Sequence, residues 1–211
     1  MSTSDLFEEG AEEYDRWYLE HPEIAESEGR LVESFMKGSP EPRAEIGVGS
    51  GYFAGRAGVS IGIDPARAML RLARKRVEHL VRGTGEDVPL ADSSLGSVLL
   101  VVTICFADDP QRLLRESFRV LRRGGVVVVC VVPRDSPWGE LYTDLGRRGH
   151  KYYSRARFYE KREVVQMMRE AGFEVVEAAG TLRSGLEARG PEEPSQDLEG
   201  AGFVCFKGVK R

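Results

Sequence analysis

Apolar and polar positions alternate along this chain in two different rhythms, and the rhythms alternate with each other. The chain opens on a region read as helical, from about Ser4 to Lys37, broken near His21-Pro22. Short apolar runs follow at about Arg43–Val48, Val59–Ile63, His79–Arg82, Ser97–Thr103 and Val126–Val132. The run from Ser97 is unbroken, as expected of a strand covered on both faces. Between these runs the period changes. Ala66, Met69, Leu70, Ala73 and Val77 fall on one face of a helix, and so do Leu114, Phe118 and Leu121. Asp109-Pro110 starts the second of these helices. Arg122 and Arg123 are expected at its negative end, with Gly124 closing it. After a polar, aromatic-rich segment to Tyr159, a helix runs to Ala171 and ends at Gly172. Two last strands, about Phe173–Ala179 and Gly202–Lys207, flank a Pro/Glu-rich loop around Pro191 that is expected to be mobile. Strands alternating with helices predict an α/β fold with a mostly parallel sheet.

One turn carries the chemistry. Glu45-x-Gly47-x-Gly49-x-Gly51 leaves the first strand, and the second ends in Asp64, nineteen positions after Glu45. Glycines remove side chains where a backbone turns sharply and lets a ligand lie against it. Asp64 at a strand tip can accept from neighbouring hydroxyls, such as those of a ribose, and can also cap the helix behind it. Gly49-Ser50-Gly51-Tyr52-Phe53-Ala54 formally matches a dinucleotide fingerprint. Two features oppose that reading. Asp64 arrives too soon for a full crossover helix, and Glu45 would repel a pyrophosphate. S-adenosylmethionine (SAM) has a ribose, an ammonium and a sulfonium but no phosphate, and so suits an acid at that place.

The order of several short stretches then resembles the class I SAM-dependent methyltransferases. The glycine turn is similar to their first motif and Ile63-Asp64-Pro65 to their second. Gly83 to Leu90 resembles the adenine-side loop, and Leu121-Arg122-Arg123-Gly124-Gly125 the turn into the fifth strand. The likeness runs from about Tyr14 to the C-terminus and is nearest to small single-domain prokaryotic members of the type 11 kind. It implies a Rossmann-like fold, with a seven-stranded mostly parallel sheet, helices on both faces and an antiparallel last strand. It also implies SAM as cofactor, S-adenosylhomocysteine as product, and a cofactor site built from Glu45, Gly47, Gly49, Gly51, Asp64, Pro65, Met69, Gly85, Glu86 and Thr103. Met69 also has the spacing of a core residue. Thr84 stands where the family often has an aspartate, which leaves Gly85 and Glu86 as the adenine candidates. Tyr14, Trp17, Thr103 and Tyr152 are the positioning candidates at the methyl end. For Tyr14 and Trp17 the competing role is packing. No general base is identified.

Length and composition set the remaining bounds. The 211 residues make one domain, read as a helical cap over residues 1–40 and a substrate wall over residues 136–160. A net charge of −4 argues against a nucleic-acid binder driven by overall charge. No apolar run is long enough to span a bilayer and no signal peptide is recognised. Cys105, Cys130 and Cys205 lack paired spacing and read as buried thiols in a reducing cytoplasm. His21, His79 and His150 are scattered, without metal-ligand spacing, and no metal is expected. The absence of asparagine fits a heat-adapted source. The expected activity is methyl transfer to a small-molecule acceptor by a monomer or homodimer. The alternatives are an RNA methyltransferase using the basic stretch at 147–162, a non-catalytic SAM-binding regulatory domain, and an NAD-dependent oxidoreductase.

Overall fold

A computed structural model describes residues 2–185 and 190–211. Seven strands form one sheet: β1 (Arg43–Ile46), β2 (Ile61–Asp64), β3 (His79–Arg82), β4 (Leu95–Val101), β5 (Leu121–Val131), β6 (Glu174–Thr181) and β7 (Phe203–Val209). Their order is β3-β2-β1-β4-β5-β7-β6. Only β7 runs against its neighbours, pairing antiparallel with both β5 and β6. The chain order reverses between β1 and β4, and in open α/β sheets the crevice beyond the strand C-termini at that point is where ligands bind.

Period-2 alternation divides the central strands between two cores. Val98, Leu100, Val127 and Val129 face α6 (Pro110–Val120) and α8 (Lys161–Glu170). Leu99, Val101, Val128 and Cys130 face α3 (Pro22–Met36), α4 (Tyr52–Ala57) and α7 (Pro137–Arg147). α1 (Thr3–Glu9) and α2 (Ala11–Glu20) lie beside α5 (Arg67–Ala73), where Ala11, Ala66, Ala68 and Met69 form a small third cluster.

Several expectations are corrected. The N-terminal helical region breaks at Gly10 as well as at His21, so α1 can pack on α5: the Glu8 carboxylate accepts from the Ala68 N–H at 3.0 Å. The segment after β5 contains α7, capped by Ser136, whose hydroxyl accepts from the Gly139 N–H, with Pro137 in the first turn. Helix α6 stops at Val120, and residues 121–125 belong to β5. Leu121 is fully buried and pairs with Leu95. Lys210, rather than Arg122 or Arg123, meets the exposed carbonyls: its Nζ donates to Phe118 O and Leu121 O, both at 2.7 Å. Cys130 and Cys205 sit opposite each other on β5 and β7 and are joined by a disulfide, so only Cys105 is free among the described residues. Finally, the chain around Pro191 is pinned. Glu192 donates its N–H to Ser27 Oγ and its carboxylate accepts from the N–H groups of Arg183 and Ser184, while Gly180 and Ser195 form a bridge. Residues 186–189 lie outside the described residues.

Candidate functional site

Two adjoining cavities open at the C-terminal edge of the sheet. The first, of about 190 Å³, begins at the turn after β1. Gly47 and Gly49 hold φ of 73° and 51°, a region costly for residues with a Cβ. A Cβ on Gly47 would lie 2.5 Å from the Thr103 methyl. On Gly49 it would meet only Tyr14, at 3.8 Å, and so would occupy the cavity itself. Asp64 locks this turn to the tip of β2. Its Oδ2 accepts from the Gly49 N–H and its Oδ1 from the Ala66 N–H, each at 2.9 Å. Burial nonetheless raises the Asp64 carboxyl to about 6, because desolvation outweighs those two bonds.

The far wall comes from the loop after β3. Gly85 presents bare backbone there; a Cβ would run into Leu113 at 2.6 Å. The Glu86 carboxylate accepts from the N–H groups of Asp108 and Asp109 and so ties this loop to the start of α6. Met69 is 1% exposed and contributes both to the wall and to the cluster beneath α1. Ser2, Thr3, Ser4, Phe7 and Tyr14 close the cavity from the N-terminal side.

The second cavity, of about 220 Å³, shares Tyr14, Val102 and Phe106 with the first. Val102 follows β4 with φ of 56°, an outlier for a β-branched residue, held by its N–H donating to Cys130 O at 2.8 Å. Beyond these shared residues, aromatic rings dominate. Tyr142 stacks on Tyr153 at 4.2 Å between ring centroids, and Tyr153 on His150 at 4.3 Å. The Tyr18 hydroxyl donates to that of Tyr14 at 3.1 Å. Tyr152 lies at the rim, its hydroxyl donating to Gly10 O at 3.0 Å and its ring stacked on Phe7.

The structure thus gathers Tyr14, Gly47, Gly49, Asp64, Pro65, Met69, Gly85, Glu86 and Thr103 around the first cavity, and Tyr14, Trp17 and Tyr152 around the second. Thr103 Oγ1 is itself committed to Ile46 O at 3.0 Å. Two candidates line neither cavity. Gly51 packs against Ala73 and Val77. Glu45, expected to face the ligand, is 2% exposed in this structure. Period 2 turns it to the sheet face opposite Ala44 and Ile46, where its Oε2 has no hydrogen-bond partner among the described residues and burial holds its carboxyl well above the usual range. The sequence reading missed Glu28 in the second wall, and Tyr142 and Phe158 were covered only by the substrate wall read over residues 136–160. For Glu28 a signal existed: it stands in the apolar stripe Ala25, Leu31, Val32, Phe35 of α3. Among the described residues no group of three or more acidic, histidine or cysteine side chains is placed to hold a metal ion, and no helix is long and apolar enough to cross a membrane.

Residues 44–129 match the methyltransferase-domain family. A solved structure from Thermotoga maritima, a SAM-dependent methyltransferase described as a possible histamine N-methyltransferase, is 36% identical. It superimposes with a TM-score of 0.92 over 99% of this chain and 100% of that one. An uncharacterized protein of Methanocaldococcus jannaschii is 32% identical over 98% of this chain and 99% of its own length. A demethylmenaquinone methyltransferase of Thermotoga maritima is 26% identical over 69% of this chain and 76% of that protein.

Proposed function

The chain belongs to the SAM-dependent methyltransferases, and from that premise we propose that it holds SAM in the first cavity and methylates a small-molecule acceptor seated in the second. One observation carries this reading. The two cavities share a wall of Tyr14, Val102 and Phe106, so ligands filling both would meet there. The first cavity fits the cofactor: two glycines are stripped back where a Cβ would intrude, and a buried carboxylate stands at its edge. When bound, SAM would supply a sulfonium methyl: an acceptor lone pair would bond to that carbon in line as the carbon–sulfur bond breaks and S-adenosylhomocysteine leaves.

The residues then have separable tasks. Asp64 accepts the ribose hydroxyls with the lone pairs left free by Gly49 and Ala66. Met69 and Leu113 give the adenine an apolar bed beside the bare backbone of Gly85. Tyr14 offers an aromatic face to the sulfonium. Residues 1–40 act as a cap and residues 136–160 as the acceptor wall, which together exclude water from the meeting point. In-line displacement needs chiefly positioning and exclusion of water.

An acceptor of RNA is less well supported. In the basic stretch, Arg148, Lys151, Lys161 and Arg162 pair with Asp144, Glu13, Asp135 and Glu160. The relatives point to small acceptors of two kinds, an amine and a quinone-derived ring. Calorimetry with SAM, S-adenosylhomocysteine and NAD tests the donor. SAM and its product should bind, NAD should not, and Gly49→Val should lose the binding while remaining folded. Mass spectrometry of a metabolite extract incubated with deuteromethyl SAM tests the acceptor. NAD binding without SAM binding would refute the donor assignment, and label found only in RNA would refute the acceptor class.

A further inference from the structure

The second cavity has a feature that methyl transfer in general does not require. Glu28 is 8% exposed, lines this cavity, and makes no hydrogen bond or ion pair with any described residue. A carboxyl so buried is ordinarily paired, because an unpaired charge loses its hydration with nothing in return. The groups around it are Tyr14, Trp17 and Tyr18 from α2, Tyr142 from α7, and His150, Tyr153 and Phe158 from the following segment. The other charged side chains in the wall are Glu13 and Glu20, both acidic, and Lys151 engages Glu13 from outside at 2.6 Å. No lysine or arginine lines the cavity among the described residues. An enclosure of aromatic side chains around one unpartnered carboxylate has the chemistry of a cation site, since an anion and any ring face left open beside it both attract an ammonium.

We propose that the second cavity binds an organic amine as its ammonium, paired with the Glu28 carboxylate and walled by Tyr14, Tyr18 and Tyr142. The proposal rests on the reading of this cavity as the acceptor site and names the acceptor class: a compact molecule with a basic nitrogen and an apolar body. Burial alone raises the empty-site Glu28 carboxyl to about 8, the direction expected of an acid whose counter-ion is not yet bound.

The test uses the full chain with S-adenosylhomocysteine present. Calorimetry and tryptophan fluorescence would follow titration with 2-phenylethylamine and histamine, each against a control in which a hydroxyl replaces the primary amine. The amines should bind at least tenfold more tightly than the alcohols. Glu28→Gln should erase that preference while leaving the SAM Kd within twofold and the fold intact by circular dichroism. Equal binding of amine and alcohol, no binding of either up to millimolar concentration, or an amine preference that survives in Glu28→Gln would each overturn the amine site. Loss of SAM binding in the unaltered protein, with amine preference retained, would instead remove the methyltransferase reading and leave the amine site standing.

Discussion

Glu28→Gln should make the empty protein more stable, and the gain should depend on pH in a calculable way. Wild-type Glu28 has an ordinary value of 4.5 and a folded value of about 8. A carboxyl whose pKa is raised by folding leaves full stability below the ordinary value and loses it as pH climbs to the folded value. Between those limits the folded protein must keep a proton that the unfolded chain releases. Each unit of separation is worth about 1.4 kcal/mol, so the penalty reaches roughly 3 kcal/mol at pH 7 and roughly 5 kcal/mol above pH 8. Glutamine has nearly the same shape and does not titrate. The variant should therefore match wild type near pH 4.5 and exceed it by about 1.4 kcal/mol for each pH unit above that, levelling off near pH 8. For a chain of this size, the pH 7 difference corresponds to a rise in Tm of roughly 6–12 °C.

Urea unfolding of both proteins from pH 4.5 to 9 reads this directly. Glu13, Glu20 and His150 also line the cavity and are common to both proteins, so the difference curve isolates the change at Glu28. A difference curve flat in pH, or a variant less stable throughout, would refute the claim that Glu28 is buried and unpaired. The expected pairing of greater stability with lost amine preference is the mark of a residue retained for binding at a cost to the fold.

The same accounting for Asp64 has the opposite consequence for its ligand. Its carboxyl is raised to about 6, hydroxyl donors favour the ionised form, and SAM affinity should hold above pH 7 and fall as pH drops through 6. Calorimetry between pH 5 and 8 checks this, and Asp64→Asn should bind weakly with little slope; a flat wild-type profile counts against ribose contact. Tyr152→Phe deletes the bond to Gly10 O, worth about 1 kcal/mol, and should speed proteolysis of residues 1–20 and weaken SAM several-fold with little change in Tm. Unaltered proteolysis would mean that the cap is not held at that point.

What the sequence disclosed and what it hid follow from the range of the interactions. The glycine turn, Asp64 and the run from Ser97 are local features, and the structure puts them at the switch point where an α/β sheet opens. The start of α7 was also local, in Ser136 and Pro137, but the aromatic and polar residues after it masked the helical period. The Cys130–Cys205 pair could not be read locally, because it needs β7 to lie antiparallel beside β5 across 75 residues of separation. Lys210 meets the end of α6 for the same reason. That Glu45 lines neither cavity had a legible signal: in a strand whose Ala44 and Ile46 face one core, the residue between them faces the other.

The second cavity was legible only as a wall over residues 136–160 and a few aromatic candidates, because its residues are individually ordinary. A tyrosine on an amphipathic helix packs somewhere, and a glutamate on α3 is usually a solvated charge. Only the convergence of α2, α3, α7 and the segment to Phe158 turns them inward together. Val102 is where this convergence meets the cofactor side. A β-branched residue at positive φ is held against a penalty of roughly 1–3 kcal/mol. Its N–H reaches across to Cys130 O, and the next residue, Thr103, reaches back to Ile46 O beside the bare Cα of Gly47. The end of β4 is thus fastened to β5 on one side and to β1 on the other, with the strained residue between them forming part of both walls. In the proposed reading that fastening fixes how a donor lying on the glycine turn faces an acceptor held by Glu28. The strain then belongs to the geometry of transfer, for which neither cavity alone would have a use.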